Sequence, residues 1–143
     1  LLRFEDVGFG AARGVLLASQ IEVGELNGLR IRVYGEKGGL VWKQEEPNVL
    51  TLHHLDGRCE AIRAGTGLLG PDAARRTRTP GGHPEGYLEA FANIYRAFGE
   101  QLRGSPAPAD EPGYATMEDA LKGMHFLRAS LESSRRGAVW VDL

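Results

Sequence analysis

Cysteine is nearly missing from this sequence: Cys59 is the only one in 143 residues. An internal disulfide is thereby excluded, and a zinc site built on paired thiolates has no ligands. Cys59 itself reads as a strand residue, a buried or edge thiol. No apolar run reaches the roughly 20 residues that a membrane-spanning helix needs, and no signal peptide is visible, so the expected location is the cytoplasm. Neither sign of charge dominates. Seventeen basic side chains face nineteen acidic ones, for a net charge of −2. That balance gives no electrostatic footprint for nucleic acid or an anionic membrane. An initial methionine is absent too. The chain opens on Leu1-Leu2-Arg3-Phe4-Glu5, already in a strand pattern, and reads as a piece of a longer protein. What is present, 42% hydrophobic and 25% charged residues, predicts a single domain over residues 1–143 with a core of its own.

The first half reads as short strands. Residues 1–5 alternate apolar and polar, as a half-buried strand does. Over residues 13–21, Val15, Leu17, Ser19 and Ile21 alternate with Leu16, Ala18 and Gln20. Both faces are mostly apolar, which predicts a central strand. After a turn at Asn27-Gly28, Leu29, Ile31 and Val33 face one way and Arg30, Arg32 and Tyr34 the other. Glu36-Lys37-Gly38-Gly39 turns tightly into a strand over 40–44 that carries Trp42, broken by Pro47-Asn48. Strands over 49–55 and 58–64 flank Asp56-Gly57, a two-residue hairpin signal. Strands joined this tightly are antiparallel. Residues 65–82 show no periodicity, the mark of a functional or disordered loop.

The second half is helical. Gly81-Gly82-His83-Pro84-Glu85-Gly86-Tyr87 opens a helix over 88–103 and is the stretch around which the chain is organised. Pro84 suits a first helical turn, which would set His83 at or near the N-cap, beside the positive end of the helix dipole. Tyr87, Phe91, Ile94, Tyr95, Phe98 and Leu102 recur at helical spacing, and Gly104 is a stop. Thr116 caps a second helix with an apolar face of Met117, Ala120, Leu121, Met124, Leu127 and Leu131. Gly137 ends it, and residues 138–143 read as a last strand. The expected architecture is α+β: one mainly antiparallel, open-faced sheet of about six or seven strands, with two long helices on one face.

Gly65-Thr66-Gly67-Leu68-Leu69-Gly70 matches the dinucleotide-binding spacing G-x-G-x-x-G. That mechanism needs a helix directly afterwards and a second parallel strand. Here Pro71-Asp72 and an arginine-rich loop are expected instead, so no cofactor site is assigned. Arg75, Arg76 and Arg78 could clamp an anion, but no stacking aromatics are interleaved, and a solvated or interface loop is the favoured reading. His53 and His54 point to opposite faces of a strand, and with His125 they form no ligand set, so no metal is expected. His83 is the leading candidate: a ring kept near neutral by the dipole can exchange hydrogen bonds with a hydroxyl. The rival is a surface or capping histidine. Gln20 and Tyr87 are weaker candidates for the same substrate-binding role. No catalytic residue is assigned.

Several stretches carry a resemblance. Ala18-Ser19-Gln20-Ile21, Gly24-Glu25-Leu26-Asn27-Gly28-Leu29-Arg30-Ile31 and Tyr34-Gly35-Glu36-Lys37-Gly38-Gly39-Leu40-Val41-Trp42 resemble the C-terminal domain of the Gfo/Idh/MocA oxidoreductases. So do Gly82-His83-Pro84-Glu85-Gly86-Tyr87-Leu88-Glu89-Ala90-Phe91 and Glu118-Asp119-Ala120-Leu121-Lys122-Gly123-Met124. The resemblance implies a C-terminal domain of the glyceraldehyde-3-phosphate dehydrogenase-like type, partnered by an N-terminal Rossmann domain that binds NAD or NADP. It implies hydride transfer on a sugar, cyclitol or related alcohol, and a homodimer or homotetramer formed through the sheet face. Glu36-Lys37 is followed by Gly38 in a hairpin, so the family's Glu-Lys-Pro catalytic role does not pass to Lys37. Only His83 and its helix start carry over, as substrate contacts. The alternative is a non-catalytic sheet module for oligomerisation or carbohydrate binding.

Overall fold

The computed structural model describes residues 2–4, 12–105 and 113–143. In chain order these hold β1 (Leu2–Phe4), β2 (Ala12–Gly14), β3 (Arg30–Gly35), β4 (Gly38–Lys43), β5 (Val49–His54), β6 (Cys59–Arg63), α1 (Pro71–Arg76), α2 (Tyr87–Leu102) and α3 (Met117–Arg135). The α+β class and the antiparallel pairing are as expected. The single sheet is not. β1 and β2 form a separate ribbon, and β3-β4-β5-β6 form a four-stranded meander with β3 and β6 at its edges.

Turn chemistry sets the register of the meander. Gly35 pairs with Gly38, leaving Glu36-Lys37 as a two-residue loop. The β5–β6 loop is one residue longer than the Asp56-Gly57 signal implies. His53 pairs with Cys59, the His54 N–H is given a cross-strand bond by the Arg58 carbonyl at 2.9 Å, and Gly57 takes φ +86°. A three-residue loop closed by a left-handed glycine is the next most common hairpin solution. In this register Ile31, Val33, Leu40, Trp42, Leu50, Leu52 and Ile62 share one face. Arg30, Arg32, Tyr34, Lys43, Thr51, His53, Cys59 and Arg63 share the other. One face is therefore apolar and the other polar and cationic, rather than both being apolar.

Two expected strands are not formed. Pairing of the ribbon stops at Gly14, and Val15, Leu17 and Ile21 are 78–88% exposed. A strand apolar on both sides is stable only with both sides covered, and here neither is. At the C-terminus, Gly137 and Ala138 both take positive φ, at 80° and 63°. The Ala138 N–H donates to the Ser133 carbonyl at 2.8 Å, and Ser133 Oγ donates to the Val139 carbonyl at 2.6 Å. This reversal lays Val141 and Asp142 near His125 and Ala129 of α3 instead of in a sheet.

The helices form where the apolar periodicity places them. A capping box starts α3: the Asp119 N–H donates to Thr116 Oγ1, and the Thr116 N–H returns a bond to Asp119 Oδ2 at 2.9 Å. The expected stacking of two helices on one sheet face is absent. Among the described residues, extensive packing between elements joins neighbouring strands only. None of the described residues is buried; Phe91, Ile94 and Phe98 on α2 stay 43–48% exposed. The accessible surface is 12298 Å². A compact monomer of 15.5 kDa has about 7,200 Å².

Candidate functional site

The best-ordered irregular stretch lies between α1 and α2, and its order comes from polar side chains. Glu85 Oε1 accepts from the backbone N–H groups of both Arg78 and Thr79, and Thr79 Oγ1 lies 3.0 Å from it. Partial burial pushes the Glu85 carboxyl up, but these hydrogen bonds outweigh it and hold the group below its ordinary value. Thr79 Oγ1 also donates to the His83 carbonyl at 2.7 Å, and the His83 N–H donates to the Pro80 carbonyl at 3.2 Å. His83 Nδ1 sits 3.3 Å from that same carbonyl. The imidazole is exposed.

Two ties fasten this loop to the sheet. Asn48, at the start of β5, grips the Glu85 peptide from both sides: Nδ2 donates to the Glu85 carbonyl at 2.6 Å, and Oδ1 accepts its N–H at 3.0 Å. Beyond β6, the Gly65 carbonyl accepts the Gly81 N–H at 3.0 Å. Gly65 takes φ +73°, and a Cβ there would lie 2.5 Å from Gly81 N. Glycine is required for both reasons. On the other side, Arg78 Nε and one terminal nitrogen donate to Asn93 Oδ1 of α2, and Asn93 Nδ2 donates to the Arg76 carbonyl at 2.8 Å. Arg75 pairs with Asp72, and Arg96 donates to the Arg75 carbonyl at 2.9 Å. These arginines fasten α1 to its own turn and to α2, in line with the interface reading of the cluster.

His83 is not at the helix cap. Gly86 is the N-cap of α2, its N–H bonded to Glu89 Oε2 at 2.8 Å, and His83 lies three residues ahead of it. Pro84 is likewise outside the first turn, and the dipole argument for His83 falls with it. The Glu85 peptide is already committed to Asn48, which stops the helix from starting earlier. Tyr87 is the first helical residue, with its ring 4.7 Å from that of Phe91. Gln20 lies in the exposed stretch after β2, and no hydrogen bond among the described residues joins it to the loop. Asn48, Thr79 and Glu85 were missed as site residues. The signal for them was weak, since Pro47-Asn48 reads as a strand break and Glu85 as part of a helix start.

The glycine run needs a correction of reasoning. A helix does follow it: α1 starts at Pro71 with Gly70 as N-cap. It is six residues long, and every strand pair is antiparallel, so the second parallel strand of a dinucleotide fold is missing among the described residues. His53 and His54 contact different partners on opposite faces. His53 Nδ1 lies 3.0 Å from Cys59 Sγ, and His54 Nε2 lies 2.6 Å from Glu60 Oε1. Cys59 is exposed, on the edge strand β6. Among the described residues no three of His, Cys, Asp or Glu gather, and no helix is long and apolar enough to cross a membrane.

A sequence profile described as the C-terminal alpha/beta domain of the oxidoreductase family, Gfo/Idh/MocA, matches residues 1–143. The chain belongs to this family. A Sinorhizobium meliloti oxidoreductase is similar to this Gfo/Idh/MocA domain in crystal structure, at 40% identity and a TM-score of 0.88, over 98% of this chain and 39% of that one. An inositol dehydrogenase homologue from Azotobacter vinelandii, solved with NADH and myo-inositol, matches at 31% identity and a TM-score of 0.77. That match covers 86% of this chain and 34% of the other. An uncharacterised oxidoreductase of Bacillus subtilis, YfiI, is 27% identical over 99% of the domain and 36% of its own length. The domain thus spans between a third and two fifths of the relatives it matches.

Proposed function

We propose that this domain is the substrate-binding and assembly part of a longer NAD(P)-dependent dehydrogenase that oxidises a sugar, cyclitol or related alcohol by hydride transfer. The observation that supports it most is the match to the Azotobacter protein that was solved with NADH and myo-inositol. In this reading the nicotinamide, held by a Rossmann domain outside residues 1–143, supplies the hydride acceptor. The domain contributes His83, exposed on a loop tied to the sheet, as a hydrogen-bond partner for a substrate hydroxyl. Tyr87, one residue into α2, offers a ring face beside it, and Gln20 joins them only if residues 15–21 move. Catalytic groups come from elsewhere in the parent protein.

His83→Ala in the full-length protein is expected to lower kcat/KM for myo-inositol by roughly 10- to 1000-fold, from one positioning contact to part of acid–base catalysis. Unfolding temperature and NAD(P) affinity should stay close to wild type. Turnover unchanged by the substitution would remove His83 from the site. The second reading, a non-catalytic assembly module, draws on the unburied apolar surface of sheet and helices. It is favoured if the full-length protein oxidises no polyol.

A further inference from the structure

We infer that Asn48, Thr79 and Glu85 are positioning residues that transmit the register of the sheet to the His83 ring. This rests on the reading of His83 as a substrate contact and adds to it the residues that fix where the ring stands. Trp42 Nε1 donates to the Pro47 carbonyl at 3.1 Å and the Ala64 N–H donates to the Asn48 carbonyl at 2.9 Å, so Asn48 is placed by β4 and by the end of β6. Its amide then holds the Glu85 peptide as a neighbouring strand would, with one donor and one acceptor.

From Glu85 the connection turns back on itself. The carboxylate collects the Arg78 and Thr79 N–H groups, which draws residue 79 beside residue 85 and closes the loop into a ring. Thr79 Oγ1 has a single proton and two acceptors in reach, the His83 carbonyl at 2.7 Å and Glu85 Oε1 at 3.0 Å. It therefore joins the carboxylate to the residue that carries the imidazole. No apolar packing fixes this ring: His83 and Pro84 are exposed, and no side chain among the described residues bonds to the imidazole. Position must come from the backbone, and the backbone is held by these three side chains. Asn93 and Arg78 brace the other flank toward α2 and do not touch residues 83–85.

The test uses the full-length protein with 13C-labelled histidine. The His83 ring signal is assigned by its loss in His83→Gln. Thr79→Val and Asn48→Ala should each move that signal toward the free-histidine position, while those of His53, His54 and His125 stay in place. Thr79→Ser, which keeps the hydroxyl, should restore the wild-type position. Kinetics give the functional arm. Thr79→Val should lower kcat/KM for myo-inositol by roughly 10- to 100-fold, the cost of misplacing a contact by about an ångström. In the His83→Ala background the same change should cost less than about twofold. A ring signal unmoved by both substitutions overturns the inference, and so does an equal kinetic loss in both backgrounds. If His83→Ala leaves turnover intact, the substrate reading fails, and the ring signal still decides whether these residues position the imidazole.

Discussion

Glu85 concentrates the chemistry of the loop in one carboxylate. Its folded value lies below the ordinary 4.5, because the bonds from Thr79 and Arg78 outweigh the upward push of partial burial, with the Arg78 charge adding a little. A carboxylate depressed in the folded state contributes stability that is complete above the ordinary value. That contribution is lost as pH falls from there through the folded value. Glu85→Gln should therefore destabilise at neutral pH, with the gap to wild type closing on acidification to about pH 3. Urea unfolding of both proteins across that range checks it. A gap independent of pH would mean that shape, not charge, is what Glu85 supplies. The glycines of the 65–70 run divide at the same scale. Gly65→Ala meets backbone at 2.5 Å and a left-handed φ, and should cost more than about 2 kcal/mol. Gly67, with nothing within 4 Å, should tolerate alanine within about 0.5 kcal/mol. Thermal melts of the two variants separate a close approach of loops, felt at Gly65 alone, from a general need for glycine.

At the scale of elements, what the sequence made legible was whatever local chemistry decides. The turns at Glu36-Lys37 and Asp56-Gly57 gave β3 to β6 within one or two residues at each end. The stripe from Tyr87 to Leu102 and the Thr116–Asp119 box gave α2 and α3. The misses have physical causes. Alternation over 13–21 is a strand pattern only if something covers both faces, and exposure of Val15, Leu17 and Ile21 shows nothing doing so. The last strand was lost to the reversal at Gly137-Ala138, and a positive φ at alanine leaves no mark in sequence. Helix α1 is too short for periodicity to register. The site was half legible: its histidine stands in a recognisable motif, but the groups that hold it do not. Asn48 meets Glu85 across 37 positions of chain, a contact no local pattern encodes.

For the whole molecule the surface is the decisive quantity. The domain exposes 12298 Å², about 5,000 Å² more than a compact chain of its mass. A standard interface covers about 800 Å² per partner, so one contact does not account for the excess. Two kinds of surface are open, the apolar sheet face and the stripes of α2 and α3, and neither covers the other. We expect the sheet face to meet a second copy. Self-pairing through the opposite face would set the unneutralised cations Arg32, Lys43 and Arg63 against their own images, while Arg30 alone has an acid, Glu25, at 3.3 Å. The apolar face carries no such penalty, and a two-fold contact suits a surface that must be self-complementary. The helix stripes are then left for the remaining two thirds of a polypeptide as long as the relatives. Light scattering on the full-length protein should find a dimer or tetramer at micromolar concentration. Ile31→Glu, in the middle of the apolar face, should dissociate it, whereas Arg32→Glu on the neighbouring position but the opposite face should not. A wild-type monomer at high micromolar concentration would end the proposal, and dissociation by Arg32→Glu alone would move the interface to the cationic side.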